Sequence, residues 1–197
     1  MAYFPLFINL EGKRCIIVGD GPVAKRKAAS LERFEAKVTM YGAGEWQMKD
    51  LLPAFLVIAA TNDREINKSV AQYCREHKIF VNVADAREES DFLFPSVIKR
   101  GKVSIGISTE GGSPLLASEI RKGIEEELPS SLEEISESMA ECRAWVKSLP
   151  IGGEKRRLVF HEIYQMTKEK KRKLKKGELR EVVERLLGEE YGDIDQK

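Results

Sequence analysis

The sequence predicts an α/β chain: a mostly parallel sheet, continued by a run of helices. Three observations predict it. Short apolar runs alternate with helical periodicity through the first half. A glycine-bearing loop stands directly between the first apolar run and the first helical segment. Beyond Gly111-Gly112 the strand pattern stops and only helical spacing remains. A length of 197 residues suffices for one such core with an appendage.

Residues 14–18 form a nearly continuous apolar run, the pattern of a strand buried on both faces. Gly19, Gly21 and Pro22 follow at once. Residues 23–34 then read as a helix, with Val23, Lys27, Leu31 and Phe34 at helical spacing. Residues 37–41 are a second strand and 55–60 a third. Only 13 residues separate Tyr41 from Phe55, enough for one short helix over 45–52 that Pro53 stops. Asn62 or Asp63 caps a helix reaching about His77, with Ile66, Val70, Tyr73 and Cys74 on one face. Residues 79–83 are a fourth strand. Residues 92–98 and 103–108 are strand-like, joined by the turn Arg100-Gly101-Lys102.

Pro114 suits the first turn of a helix carrying Leu116, Ile120 and Ile124, which Pro129 ends. Ser130 or Ser131 opens the next. Its residues Leu132, Ile135, Met139, Cys142 and Val146 form a narrow apolar stripe on a Glu-rich helix, a packing seam or a dimer seam. We expect a homodimer from it. Pro150-Ile151-Gly152-Gly153 links to two final helices, over 154–171 and 178–187.

Charge and composition narrow the function. Lys and Arg number 33, Asp and Glu 32, for a formal net charge of +1. That balance argues against a dedicated nucleic-acid binder. Between Lys168 and Lys176 seven of nine residues are basic, but Glu178, Glu181 and Glu184 follow and offset them. A solvated face is the plain reading of that run, and attraction of a polyanion the alternative. The longest apolar run, residues 55–60, is too short to cross a bilayer, and the N-terminus shows no signal-peptide pattern, so no membrane partner is expected. Cys15, Cys74 and Cys142 are odd in number and lie far apart, which suits a reducing cytoplasm and neither a disulfide framework nor a metal site. His77 and His161 have no ligand-spaced partners, so no metal is expected.

The sharpest signal is Val18-Gly19-Asp20-Gly21-Pro22-Val23-Ala24, a G-x-G-x-x-A loop after a strand and before a helix. Gly19 permits the tight turn, Gly21 lets the backbone approach a pyrophosphate, and Ala24 lets helix and strand pack closely. The helix start that follows Pro22, beginning at Val23, supplies unpaired N–H groups for the phosphates. These features predict a Rossmann-like domain that binds NAD. Asp20 places a carboxylate inside the loop and is expected to point to solvent. The usual ribose-binding acid belongs at the end of the second strand, which reads Tyr41-Gly42-Ala43-Gly44, with Glu45 beyond it. The domain reading is 1–112 for dinucleotide binding, 113–150 for dimerisation and 151–197 for a small helical C-terminal domain.

Other polar residues gather at carboxyl ends of strands, where ligands sit in this fold. Thr61, Asn62 and Asp63 end the third strand, either facing the cofactor or capping a helix. Asn82 and Asp85 close the fourth, and Asp85 is placed for proton transfer. Thr109-Glu110-Gly111-Gly112-Ser113-Pro114 is a second glycine-bearing loop at a helix start, an anion site or a hinge.

Together these stretches resemble the precorrin-2 dehydrogenase / sirohydrochlorin ferrochelatase family, the N-terminal module of siroheme synthases. The matching residues are Phe4-Pro5-Leu6-Phe7 with Leu10, the glycine loop through Lys27, Ala59-Ala60-Thr61-Asn62-Asp63, Asn82-Val83-Ala84-Asp85, Phe94-Pro95-Ser96, and Gly111-Gly112-Ser113-Pro114-Leu115-Leu116-Ala117. The resemblance implies NAD-dependent oxidation of precorrin-2 to sirohydrochlorin, with ferrous iron insertion in some members, and a homodimer formed after Ser113. It puts general acid/base work on Asp85, the active-site serine on Ser113, and cofactor contacts on Pro22, Val23, Ala43 and Gly44; Asn82, at the end of the same strand as Asp85, is expected beside Ser113 as a substrate contact. The family's longer stretch before the third strand is absent here. Precorrin-2 carries eight carboxylates, for which Arg87, Lys99, Arg100, Arg121 and the basic tail offer an electrostatic lining. The competing class is a non-catalytic NAD(H)-sensing regulatory protein acting through the helical tail.

Overall fold

β1 (Arg14–Val18) is central to its sheet because its last four residues are apolar and fully buried. The computed structural model describes residues 3–42 and 44–188. β1 pairs in parallel with both β2 (Lys37–Tyr41) and β3 (Leu56–Ala59), and β3 pairs in parallel with β4 (Phe80–Val83). The order is β2-β1-β3-β4. All four residues of β3 are buried, as a strand covered on both faces requires.

Helices cover the two faces. α1 (Pro22–Glu32) sends Ala24, Ala28 and Leu31 onto the face that bears Cys15, Ile17 and Ile58. α2 (Arg64–Glu76) sends Val70, Ala71 and Cys74 onto the face that bears Ile16, Val18, Val57 and Val81. Truncating a side chain such as Ile58 to Ala would cost about 2–5 kcal/mol. Ile66, expected on the inner face of α2, is 39% exposed instead, because it sits in the first turn beside the sheet's carboxyl edge.

The crossover from β2 to β3 holds no α-helix. The helix expected over 45–52 is a 3-10 turn, Met48–Leu51. The Gln47 N–H donates to Asp50 Oδ2 at 2.8 Å, and Pro53 blocks elongation. Leu51 anchors this turn, fully buried on the α2 side.

β4 is an edge strand, and the segment after it seals the edge. Asp91 Oδ2 accepts the Val81 N–H at 2.9 Å, and Ser90 Oγ accepts the Val83 N–H at 2.9 Å. Phe92 and Phe94 then pack on the α1 side, so the strand expected from residue 92 begins only at Ser96.

Two units divide the chain: residues up to Pro95 with Ser108–Ser113, and Ser96–Ile107 with the chain from Pro114 onward. The second unit begins as an antiparallel hairpin, β5 (Ser96–Arg100) with β6 (Val103–Ile107). Its turn lies on α4 (Leu132–Ser148). A Cβ on Gly101, at φ +52°, would come 2.5 Å from Ser136 Oγ, and the Lys102 N–H donates to that same oxygen at 2.9 Å. α3 (Pro114–Glu127), α5 (Gly153–Lys170) and α6 (Lys176–Leu187) complete it.

Cys142 and Val146 of the apolar stripe sink into a cluster with Val159 and Ile163 of α5 and Val182 and Val183 of α6, with Met139 packed against it. The C-terminal part of the seam is therefore packed by the chain's own helices. Ser131 stands at the α4 N-cap without a side-chain cap bond. The basic run becomes the end of α5 and its turn into α6: Lys170 and Arg172 pair with Glu178, Lys173 pairs with Glu141, and Leu174 is buried. The three cysteines are buried and unpaired. Among the described residues no helix is long and apolar enough to cross a membrane.

Candidate functional site

The site forms where β1, β3 and β4 end. Gly19 has φ +126°, and a Cβ there would lie 2.3 Å from the Ala60 carbonyl oxygen, so the loop presses directly on the end of β3. The Gly19 N–H donates to the Tyr41 carbonyl at 2.9 Å, tying the loop to β2 as well. Gly21 differs: a Cβ there would meet nothing within 4 Å. It is the N-cap of α1, no side chain caps it, and Pro22 takes the first helical position. The first N–H groups of α1 therefore have no intrahelical acceptor and are free for an anion. Ala24 is fully buried against the sheet, as close packing of helix and strand demands. Val23 is half-buried and Pro22 exposed beside it.

A cleft of about 350 Å³ opens at this loop. Gly19, Gly21, Gly44, Thr61, Asn62 and Asp63, all expected from the sequence, line it. Asp20, Trp46, Ala60 and Ile66 complete it. Trp46 was invisible to periodicity because it belongs to no helix or strand. The open side of Gly21 and the uncapped start of α1 fit the pyrophosphate of a dinucleotide, which these residues would hold. Ala43 lies outside the described residues.

Acids cluster where β2 ends. Glu45 folds back, and its Oε2 accepts the Gly42 N–H at 3.0 Å. Asp20 is exposed as expected, yet it leans along the cleft: its Oδ2 lies 3.6 Å from where a Gly42 Cβ would be.

At the β3–α2 turn the polar residues divide their labour. Asp63 caps α2, its Oδ1 accepting from the N–H groups of Glu65 and Ile66 at 2.9 and 3.2 Å. Thr61 is held by Asn67, which accepts its N–H at 3.1 Å and donates to its carbonyl at 3.0 Å. Asn67 is buried and was not anticipated; a buried amide inside a helix is its signal. Asn62 lines the cleft and caps nothing.

Asp85 stands in the turn after β4 at φ +60°, a left-handed conformation that Asp tolerates better than most residues. Arg87 follows it. Arg87 Nη2 lies 3.6 Å from Glu110 Oε2, and its guanidinium stacks on the Tyr3 ring at 5.0 Å. Glu110 belongs to the turn that leads to Ser113, where the Ser113 N–H donates to Thr109 Oγ1 at 3.2 Å. Asn82, expected to meet substrate, is only 4% exposed. Its Oδ1 accepts from Lys27 Nζ at 2.6 Å and its Nδ2 donates to the Phe92 carbonyl at 2.8 Å, so both ends of the amide are engaged. His77 Nδ1 lies 2.8 Å from the Tyr73 carbonyl, a local helix-end contact. Among the described residues no cluster of His, Cys, Asp and Glu is arranged to hold a metal ion.

Comparison with known proteins places this geometry. Residues 6–96 match the family described as "Putative NAD(P)-binding", and residues 100–127 match "Sirohaem biosynthesis protein central". The siroheme synthase of Nitrosococcus oceani is 32% identical, over 84% of this chain and 39% of its own length. That of Photorhabdus laumondii is 34% identical, over 83% of this chain and 39% of its own. The chain is a relative of the siroheme synthases. It spans about two-fifths of the length of these relatives. A solved structure of SirC, a precorrin-2 dehydrogenase, superposes with a TM-score of 0.67, covering 95% of this chain and 100% of that one at 23% identity, which shows a shared fold. In this siroheme synthase relative the glycine-loop unit carries the NAD(P)-binding match, and β6 with the whole of α3 carries the sirohaem-biosynthesis match.

Proposed function

We propose that this chain oxidises precorrin-2 to sirohydrochlorin with NAD as hydride acceptor. The observation that carries the reading is one shared sheet edge: the Gly19–Gly21 cradle and Asp85 both stand at the carboxyl ends of parallel strands. When bound, the nicotinamide ring supplies the hydride acceptor. Asp85, solvent-reachable in its turn, takes the proton that leaves with the hydride. Arg87 and Glu110 hold the Ser113 turn next to the Asp85 turn. Gly21 and the start of α1 at Pro22, Val23 and Ala24 would hold the pyrophosphate, with Asn62, Thr61 and Gly44 lining the same cleft as Gly21. Glu45 and Asp20 beside Gly42 put negative charge where a 2′-phosphate would lie, which supports NAD over NADP.

A homodimer, formed through the 113–150 segment, belongs to the same proposal. Leu115 is 72% exposed and Ile120 40% exposed on α3, apolar surface suited to a second copy. Three buried, unpaired thiols suit a cytoplasmic setting.

The test is anaerobic incubation with precorrin-2 and NAD, following NADH and product absorbance. We expect both to rise together, with NADP a poorer acceptor. Asp85→Ala should lose at least ~100-fold in turnover while keeping NAD affinity. NAD binding without product would overturn the reading. Light scattering at micromolar concentration tests the dimer.

A further inference from the structure

Lys27 is out of place by the ordinary rules of burial. It sits on the inner side of α1, six residues after Gly21, and reaches across to β4. Its ammonium is gripped from two sides: Asn82 Oδ1 accepts a hydrogen bond at 2.6 Å, and the Phe94 ring centroid lies 4.2 Å away. Asn82 cannot turn away, because its other end donates to the Phe92 carbonyl. An ammonium has three N–H donors, and an amide oxygen satisfies one.

No carboxylate lies within ion-pair distance of Lys27 among the described residues. Burial first, and Arg26 beside it second, pull the lysine's proton affinity down to about 8, while the charge of Asp85 acts the other way. A methionine would fill this space without the desolvation cost. The arginines that the sequence offered for substrate carboxylates are already engaged, Arg87 with Glu110 and both Arg100 and Arg121 with Glu125. A half-buried cation held in position and lacking a counter-ion is prepared for an incoming anion.

We propose that Lys27 is a substrate-binding residue: Asn82 and Phe94 hold its ammonium beside the Asp85 edge so that a carboxylate of the tetrapyrrole completes the ion pair. The proposal rests on the tetrapyrrole reading above. It also reassigns Asn82, which supports the lysine and does not itself meet the substrate.

The experiment compares wild type with Lys27→Met, Lys27→Gln and Lys27→Arg in the full chain. Binding of sirohydrochlorin and of NAD is followed by fluorescence, steady-state kinetics use precorrin-2, and thermal melts report folding. Lys27→Met and Lys27→Gln should weaken sirohydrochlorin binding and raise KM for precorrin-2 about tenfold, the scale of one charge-assisted hydrogen bond, with a smaller change in kcat. Lys27→Arg should recover most of that loss, and NAD affinity should hold. A folded Lys27→Met protein with unchanged sirohydrochlorin affinity would overturn the proposal, and so would a loss confined to NAD, which would make a cofactor phosphate the anion. If wild type binds sirohydrochlorin through Lys27 yet forms no product from precorrin-2, the carboxylate site stands and the dehydrogenase reading falls.

Discussion

Arg87 and Glu110, 23 residues apart in sequence, join two turns, one following Asp85 and one preceding Ser113, with 3.6 Å between Nη2 and Oε2. Both side chains are well exposed, so the pair adds little to stability, about 0–1 kcal/mol. Its effect is on relative position. Arg87→Met should lower turnover several-fold while the melting temperature barely moves. The charge-swapped double variant, Arg87→Glu with Glu110→Arg, should regain part of the loss. Equal turnover in wild type and Arg87→Met would show that the two turns need no such tie.

Gly19 and Gly21 should fail in different ways. A Cβ at Gly19 runs into the Ala60 carbonyl at an already left-handed φ, so Gly19→Ala should destabilise the fold by about 2–4 kcal/mol in urea unfolding. A side chain at Gly21 meets open space, so Gly21→Asp should fold normally and lose NAD binding to added bulk and charge. Calorimetry showing unchanged NAD affinity in Gly21→Asp would remove the cradle from the site.

Asp63 and Asn62 separate a cap from a cleft residue. Asp63→Ala removes two bonds to the start of α2 and should cost about 1 kcal/mol. Asn62→Ala should stay within about 0.5 kcal/mol of wild type and act on NAD affinity instead. Chemical denaturation and NAD titration of the two variants check this directly.

Glu178 gives the helical unit an acid-sensitive point. Arg172 beside it, then Lys170 and the Lys175 N–H, hold its carboxyl well below the usual carboxylate range. Because the folded state binds this proton less readily, the stabilisation is complete above the ordinary value of 4.5 and is lost as pH falls below it. Glu178→Gln should therefore melt lower than wild type at pH 7, by about 2–4 °C. The gap should narrow on acidification below about pH 4. A gap that is constant across that range would assign the effect to packing.

Much of this was legible in the residues. Strands β1 to β4 and their helices announce themselves by period, because a strand buried on both faces must be apolar throughout, as residues 56–59 are. The glycine loop was legible because Gly19, at φ +126° and pressed against the Ala60 carbonyl, leaves room for no side chain. What periodicity missed depended on partners distant in sequence. The crossover is the exception, limited locally to the 3-10 turn Met48–Leu51 by Pro53 just beyond it. Asn82 reads as a ligand residue in the sequence, and what periodicity could not show is that partners 55 and 10 residues away engage both ends of its amide. The stripe on α4 reads in the sequence as a packing seam or a dimer seam, and α5 and α6, later in the chain, pack its C-terminal part.

The hidden thiols make the protein a reporter of its own opening. Burial pushes Cys15 up to about 11 and both Cys74 and Cys142 up to about 12, so in the closed state none presents the thiolate that alkylating reagents require. Modification must wait for a local breath of the structure. Cys15 and Cys74 then clock the sheet unit from its two faces, while Cys142 clocks the helical bundle. Mass spectrometry of alkylated peptides over time would rank which part of the chain lets solvent in first. A dinucleotide that stabilises the glycine loop should slow the first two clocks and leave the third running.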